Sequence, residues 1–180
     1  MIPVPMNWKA MIPAIIILFT ILLPSGLLAE RSIRTLPAEI LSITDGDTIV
    51  IRLQGYKEKV RLIGIDVPEC RPNPKAEKDV ILTGAYLRTI NEMGKRATQY
   101  VKSVLGSGDH VNIELDVQKR DWNGRLLGYV WLQDGRMLNE EIVRDGYAGL
   151  MTYPPNTRHL RRLQEAYRDA REAKRGFWRD

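Results

Sequence analysis

Acidic and guanidinium side chains gather beside turns in three separate stretches of the chain: Asp45-Gly46-Asp47-Thr48, Arg61-Leu62-Ile63-Gly64-Ile65-Asp66-Val67-Pro68-Glu69, and Asp121-Trp122-Asn123-Gly124-Arg125. Strand ends and the turns beside them are where a rigid scaffold displays reactive groups. Asp47 and Asp66 supply hard oxygens of the kind Ca2+ takes while it keeps water in its shell. Arg61 and Arg125 carry planar forks of N–H donors that match a phosphate and oppose the charge that grows as a nucleophile adds. Together the set fits phosphodiester chemistry. Singly, each stretch has a plainer reading: Asp-Gly is ordinary hairpin chemistry, a strand-end Asp before a proline-stopped Glu solvates a loop, and Arg125 pairs with an acid across a turn.

Other reaction plans fail on counting. One Cys and two His exclude an internal disulfide, a cysteine-rich zinc site and a multi-histidine metal centre. His110 and His159 do not form two H-x-K motifs, and the chain has no H-E-x-x-H and no G-x-x-x-x-G-K-[ST]. A serine or cysteine triad would need one of these histidines as its base, and neither lies in a recognisable motif. Proton abstraction therefore falls to a carboxylate, whose low basicity a metal and good positioning would offset. The net charge of +5 and pI near 9.4 favour a polyanionic partner, nucleic acid or an acidic membrane surface.

The 180 residues, 44% apolar and 27% charged, have the composition of one ordinary globular domain, and they divide unevenly. Residues 1–29 hold a single charged side chain, Lys9, ahead of the uncharged run Met11–Ala29. That run reads as an export signal, with Pro24, Ser25, Gly26 and Ala29 near its end, or as an uncleaved anchor close to the roughly 20 residues a span needs. Either way the catalytic part is expected outside the cytoplasm, secreted, periplasmic or membrane-anchored. Residues 30–37 read as a connector, and 38–180 as the functional domain.

Within that domain, alternation predicts strands at Ala38–Ile43, Thr48–Leu53 and Lys59–Ile65, joined by Asp45-Gly46 and Gln54-Gly55 turns. On the third, alternation puts Arg61 and Asp66 on opposite faces. Residues 78–105 read as two helical pieces broken near Gly94, with Ala97, Val101, Val104 and Leu105 inward. His110–Leu115 and Leu126–Leu132 give strands four and five, Met137–Asp145 a short helix, and Asn156–Lys174 a longer one with Leu160, Leu163, Tyr167 and Ala170 on one face. The many arginines on its other face read first as a solvated surface of pairs four apart. This order predicts an α+β domain, mainly β: a five-stranded OB-fold barrel with packed helices, whose open face commonly accepts single-stranded nucleic acid.

DGDT, RLIGIDVPE, the D-x-x-G-R turn, GRMLNEEIVRDGYA and a C-terminal helix ending in Gly176-Phe177-Trp178 resemble, in order and spacing from about Ala38 to Trp178, the staphylococcal nuclease (thermonuclease) family. The resemblance implies a Ca2+-dependent nuclease on an OB barrel that cuts DNA and RNA at the 5′ P–O bond and leaves 3′-phosphate ends. Position by position it makes Asp47 and Asp66 the calcium carboxylates and the Val67 carbonyl the remaining protein ligand, with Asp45 acting through water. It makes Glu69 the group that activates or orients the attacking water, and Arg61 and Arg125 the arginines that bind phosphate.

Departures fall at substrate contacts. The family's best-known member has a Lys-Tyr pair where this chain has Trp122 and Asn123. Trp122 either stacks on a base, worth roughly 1–3 kcal/mol in single-strand binders, or packs on the barrel. A tyrosine pair near the pocket is reduced to Tyr153, a weaker substrate candidate. The segment between Glu69 and Lys95 is longer, and its Cys70, Arg71, Lys75 and Lys78 read as a lid, a strand guide or plain surface, Cys70 as an unpaired bystander. The competing reading is a non-catalytic OB-fold nucleic-acid-binding module, and a third is a membrane-anchored adaptor. Retention of Asp47, Asp66, Glu69, Arg61 and Arg125 favours hydrolysis over both, with accessible single strands as the expected substrate and a monomer as the default state.

Overall fold

The computed structural model describes residues 35–179; the apolar run and the first residues of the expected connector lie outside them. Strands β1 (Thr35–Asp45), β2 (Thr48–Leu53) and β3 (Tyr56–Leu62) form a meander, followed by a short β4 (Ile65–Asp66). Helices α1 (Pro74–Thr83) and α2 (Leu87–Val104) precede β5 (His110–Arg120) and β6 (Leu126–Trp131). Then come α3 (Leu138–Arg144), β7 (Gly149–Leu150), α4 (Leu160–Glu172) and a 3-10 turn at Gly176–Trp178. The barrel closes in the order β1-β2-β3-β6-β5, with β5 returning antiparallel to β1 and β3 beside β6 in parallel. This is the expected five-stranded OB-type barrel. It starts earlier than its alternation shows, because Thr35, Leu36 and Pro37 already pair with β5.

Its interior is aliphatic: Ile40, Ile49, Ile51, Val60, Ile113 and Val130 are fully buried, each such side chain contributing about 1.5–3 kcal/mol of transfer free energy. Gln54 and Gly55 turn β2 into β3 with φ of 51° and 88°, the left-handed pair that a two-residue hairpin demands. Helix α4 closes one side through Leu163, Ala166 and Ala170, while its arginines pair outward, Arg161 with Glu165 and Arg168 with Glu172. Arg162 instead meets Glu140 of α3, and Arg158 meets the fully buried Glu114 at 2.8 Å. The solvated-pair reading of this helix therefore holds over much of its length. Among the described residues no helix is long and apolar enough to cross a membrane.

Two expectations are corrected, and both corrections shape the site. The third strand does not run through Ile65: it ends at Leu62, the chain turns at Ile63 and Gly64 (φ 84°), and β4 pairs with β7 in a separate two-stranded sheet. The turn cancels the strand alternation, so Arg61 and Asp66, placed on opposite faces by periodicity, lie 3.2 Å apart. The helical region breaks at Gly84 rather than Gly94. Asn73 caps α1 by accepting the Ala76 N–H, Pro74 opens it, and Gly84 ends it at φ 70°.

Gly94 sits inside α2 for a different reason. A Cβ there would stand 2.4 Å from the Pro68 carbonyl oxygen and 2.5 Å from the Glu69 carbonyl carbon, so the helix can rest on this backbone only without one. Gly94→Ala is expected to destabilise the protein by about 1–3 kcal/mol despite the better helix propensity of alanine, a fall in Tm of several degrees by calorimetry. A Tm at or above the parent's would mean that the loop yields freely.

Candidate active site

The three stretches singled out above converge on one cleft of about 650 Å3, lined by Asp45, Asp47, Arg61, Asp66, Glu69, Arg125, Trp122 and Tyr153 among others. The first contribution comes from the β1–β2 turn. Asp45 pairs with Thr48, leaving Gly46 and Asp47 as the loop. A Cβ on Gly46 would meet Val67 Cγ1 at 2.7 Å, so only glycine lets this turn lie against Val67. Asp47 is thereby buried, its Oδ1 accepting from Thr48 Oγ1 at 3.0 Å and its Oδ2 facing the Val67 N–H at 3.4 Å. Asp45 accepts from the Gly46 N–H and from Thr98 of α2. Burial, with Asp47 and Glu69 near, pushes the Asp45 carboxyl up from its ordinary value.

Arg61 gathers the second stretch. Its Nη1 donates to the Leu62 and Ile65 carbonyls at 2.9 and 3.0 Å, bridging the turn that ends β3. Its Nη2 lies 3.0 Å from Asp47 Oδ2 and 3.2 Å from Asp66 Oδ1. With a side chain only 13% exposed, Arg61 here holds the two carboxylates together rather than standing free before a phosphate. Pro68 then turns the chain so that Glu69 faces the cleft. The Glu69 carbonyl accepts from Asn91 of α2 at 2.9 Å, and its Oε2 accepts from Asn73 Nδ2 at 2.7 Å.

Arg125 is held by an acid that the pattern contains without revealing its task. Asp121 is buried; its Oδ1 accepts from the Asn123 and Arg125 N–H groups, and its Oδ2 from Arg125 Nε at 2.7 Å. One carboxylate thus folds the turn and aims the guanidinium, so the hairpin and functional readings are both true of this stretch. Trp122 beside it is 93% exposed, which removes packing on the barrel as its role and leaves an aromatic face at the cleft edge. Tyr153 is partly buried and lines the same cleft. Cys70 is an unpaired, partly buried thiol whose pKa burial raises.

Lys75, the second residue of α1, enters the same cluster, which nothing in its spacing announces. Its Nζ donates to the Val67 carbonyl at 2.7 Å and lies 3.3 Å from both Asp66 Oδ1 and Glu69 Oε1. Burial lowers its pKa, but Asp66, Glu69 and Asp47 together outweigh that and raise it. Asp66 stays raised, chiefly by burial, in spite of Lys75 and Arg61.

Among the described residues no three His, Cys, Asp or Glu side chains enclose a metal unaided. Two carboxylates and one main-chain carbonyl are drawn around the Arg61 and Lys75 cations, however, and these oxygen donors suit a hard divalent ion completed by water. The donor set therefore suits a hard divalent cation.

Comparison with known proteins identifies relatives of the chain as a whole. The family described as Staphylococcal nuclease homologue matches residues 59–180. The chain is 31% identical over 141 residues to the Thermonuclease of Staphylococcus hyicus, covering 78% of this chain and 74% of that protein. It is 34% identical over 137 residues to the Thermonuclease of Staphylococcus intermedius, covering 76% and 72%. Endonuclease YhcR of Bacillus subtilis is 32% identical over 141 residues, 77% of this chain but only 11% of that much longer protein.

Proposed function

The chain belongs to the staphylococcal nuclease family and is a nuclease, and from that premise we propose that it is a Ca2+-dependent phosphodiesterase of low sequence specificity that cuts accessible single strands of DNA and RNA, leaving 3′-phosphate ends. The observation that carries this reading is the meeting of Asp47, Asp66 and Glu69 in one cleft with Arg61 and Arg125, the Val67 carbonyl accepting from Lys75 beside them. A hard divalent ion held by Asp47, Asp66 and the Val67 oxygen would supply Lewis-acid polarisation of the scissile phosphate.

The chain's own groups do the rest. Glu69, fixed through Asn73 and Asn91, accepts a proton from the water that attacks phosphorus. Attack forms the new P–O bond, the P–O5′ bond breaks, and the 5′ oxygen leaves to take up a proton from solvent. Arg61 and Arg125 oppose the charge that grows on the non-bridging oxygens. Were Asp47 and Asp66 to hold a divalent ion, the Nη2 of Arg61 that now pairs with them would be available to phosphate. The exposed indole of Trp122 offers a stacking face for an unpaired base, which supports the preference for single strands.

The uncharged run Met11–Ala29 supports an activity exported from the cytoplasm or anchored facing outward. Digestion of single- and double-stranded DNA and RNA, with Ca2+, with Mg2+ and with chelator, tests the proposal, and the same assay on intact cells and their medium tests its location. Cleavage with Ca2+ that chelator abolishes is expected, with 3′-phosphate ends on the products. Binding without cleavage under all three conditions would leave only a nucleic-acid-binding module.

A further inference from the structure

Lys75 uses the oxygens that the proposed cation needs. Its ammonium donates to the Val67 carbonyl and stands between Asp66 and Glu69, with Asp79 of α1 at 3.9 Å. An ammonium has three N–H groups and no acceptor, so it satisfies a carbonyl and two carboxylates as a compact monovalent cation would. This differs from an exposed pair such as Arg88 with Glu92, which binds no main-chain oxygen and frames no cleft. The backbone beneath Lys75 is also fixed to the site. Asn73 caps α1 through Oδ1 and holds Glu69 through Nδ2, so the helix that carries Lys75 and the carboxylate that receives it are tied by one side chain.

We propose that Lys75 is a tethered counter-ion that fills the divalent-cation position of the metal-free enzyme and must be displaced when the cation binds. The inference rests on the metal reading above and deepens it. A divalent ion ligated by the Val67 oxygen and by Asp66 requires lone pairs that the ammonium now takes, and two cations on shared oxygens repel. Exchange is therefore the outcome, and the long, flexible lysine stem permits it. The exchange also acts on Glu69. Lys75 and Asn73 engage the two oxygens of Glu69; once the ammonium leaves, Oε1 is free to face water. Lys75 thus holds the mutually repelling Asp66 and Glu69 carboxylates together, and it couples cation binding to release of the proposed base.

Apparent affinity falls by the fraction of time in which the site is open, so an ammonium in place about nine-tenths of the time weakens Ca2+ binding roughly tenfold. The test is calorimetric titration of CaCl2 into the full-length chain in detergent, parent against Lys75→Met, which keeps the apolar stem and removes the charge. The variant is expected to bind Ca2+ roughly tenfold more tightly and to melt at a lower temperature in chelator. The parent protein alone supplies a second measurement: modification of Lys75 by an amine-reactive ester, followed by peptide mass analysis, should speed up several-fold when Ca2+ is added. Equal Ca2+ affinity in both proteins, or unchanged Lys75 reactivity across a titration in which Ca2+ binds, overturns the proposal and leaves the metal reading standing. No Ca2+ binding to either protein overturns both.

Discussion

Glu69→Gln is expected to lower kcat by about 10²–10⁴-fold, the usual contribution of a positioned general base, with single-strand binding unchanged. The substitution is isosteric, so the new amide can keep the contact with Asn73 through its side-chain carbonyl oxygen, and the main-chain bond to Asn91 is untouched. What is lost is the charge that accepts a proton and pairs with Lys75. The pair is partly exposed and lies on a small network, so its loss contributes at most about 1 kcal/mol to stability. Three readouts separate the effects: kcat on a single-stranded oligonucleotide, affinity for the same oligonucleotide under chelator, and Tm. Turnover within tenfold of the parent would take the proton-acceptor role away from Glu69, and a matching loss of binding would recast it as a substrate contact.

The barrel is legible because its signals are local. A two-residue turn between alternating runs reads the same in sequence and in space, and Asp45-Gly46 and Gln54-Gly55 both mark turns that the structure contains. Misreadings arise where one residue type serves two physical ends. Gly84 stops a helix by adopting a left-handed backbone, whereas Gly94 lets another chain segment approach within a helix; composition alone does not separate these. Alternation likewise carries Arg61 and Asp66 to opposite faces, because a turn at Ile63 and Gly64 is invisible to a period of two. Within the site, the residue types are legible and their partners are not. Asp121 acts within its own turn, where the sequence shows the acid but not its aim, whereas Lys75 acts through contacts that only the docked α1 creates, and an exposed-looking lysine after Pro74 carries no mark of a buried carbonyl eight residues earlier.

Arg125→Ala should cost about 2.7–4 kcal/mol of transition-state stabilisation, a fall of roughly 10²–10³-fold in kcat/KM, as for other single donors to a developing oxyanion. Arg125 is the cleaner arginine to remove. Arg61 also bridges two main-chain carbonyls and two carboxylates, so its loss would disturb the cation cage and the turn after β3 together with any phosphate contact. Arg125 is tied by its side chain to Asp121 alone among the described residues, and Asp121 keeps the turn folded through two N–H groups when the guanidinium is gone. Stability should therefore change little while turnover collapses. Arg125→Lys sharpens the test, because lysine restores a positive charge without the planar fork. Recovery of only a small part of the rate would show that the forked geometry, set by Asp121 Oδ2 on Nε, matters as much as the charge. Full recovery by lysine would reduce the residue to general electrostatic attraction, and parent-like cleavage by the alanine variant would remove it from the chemistry.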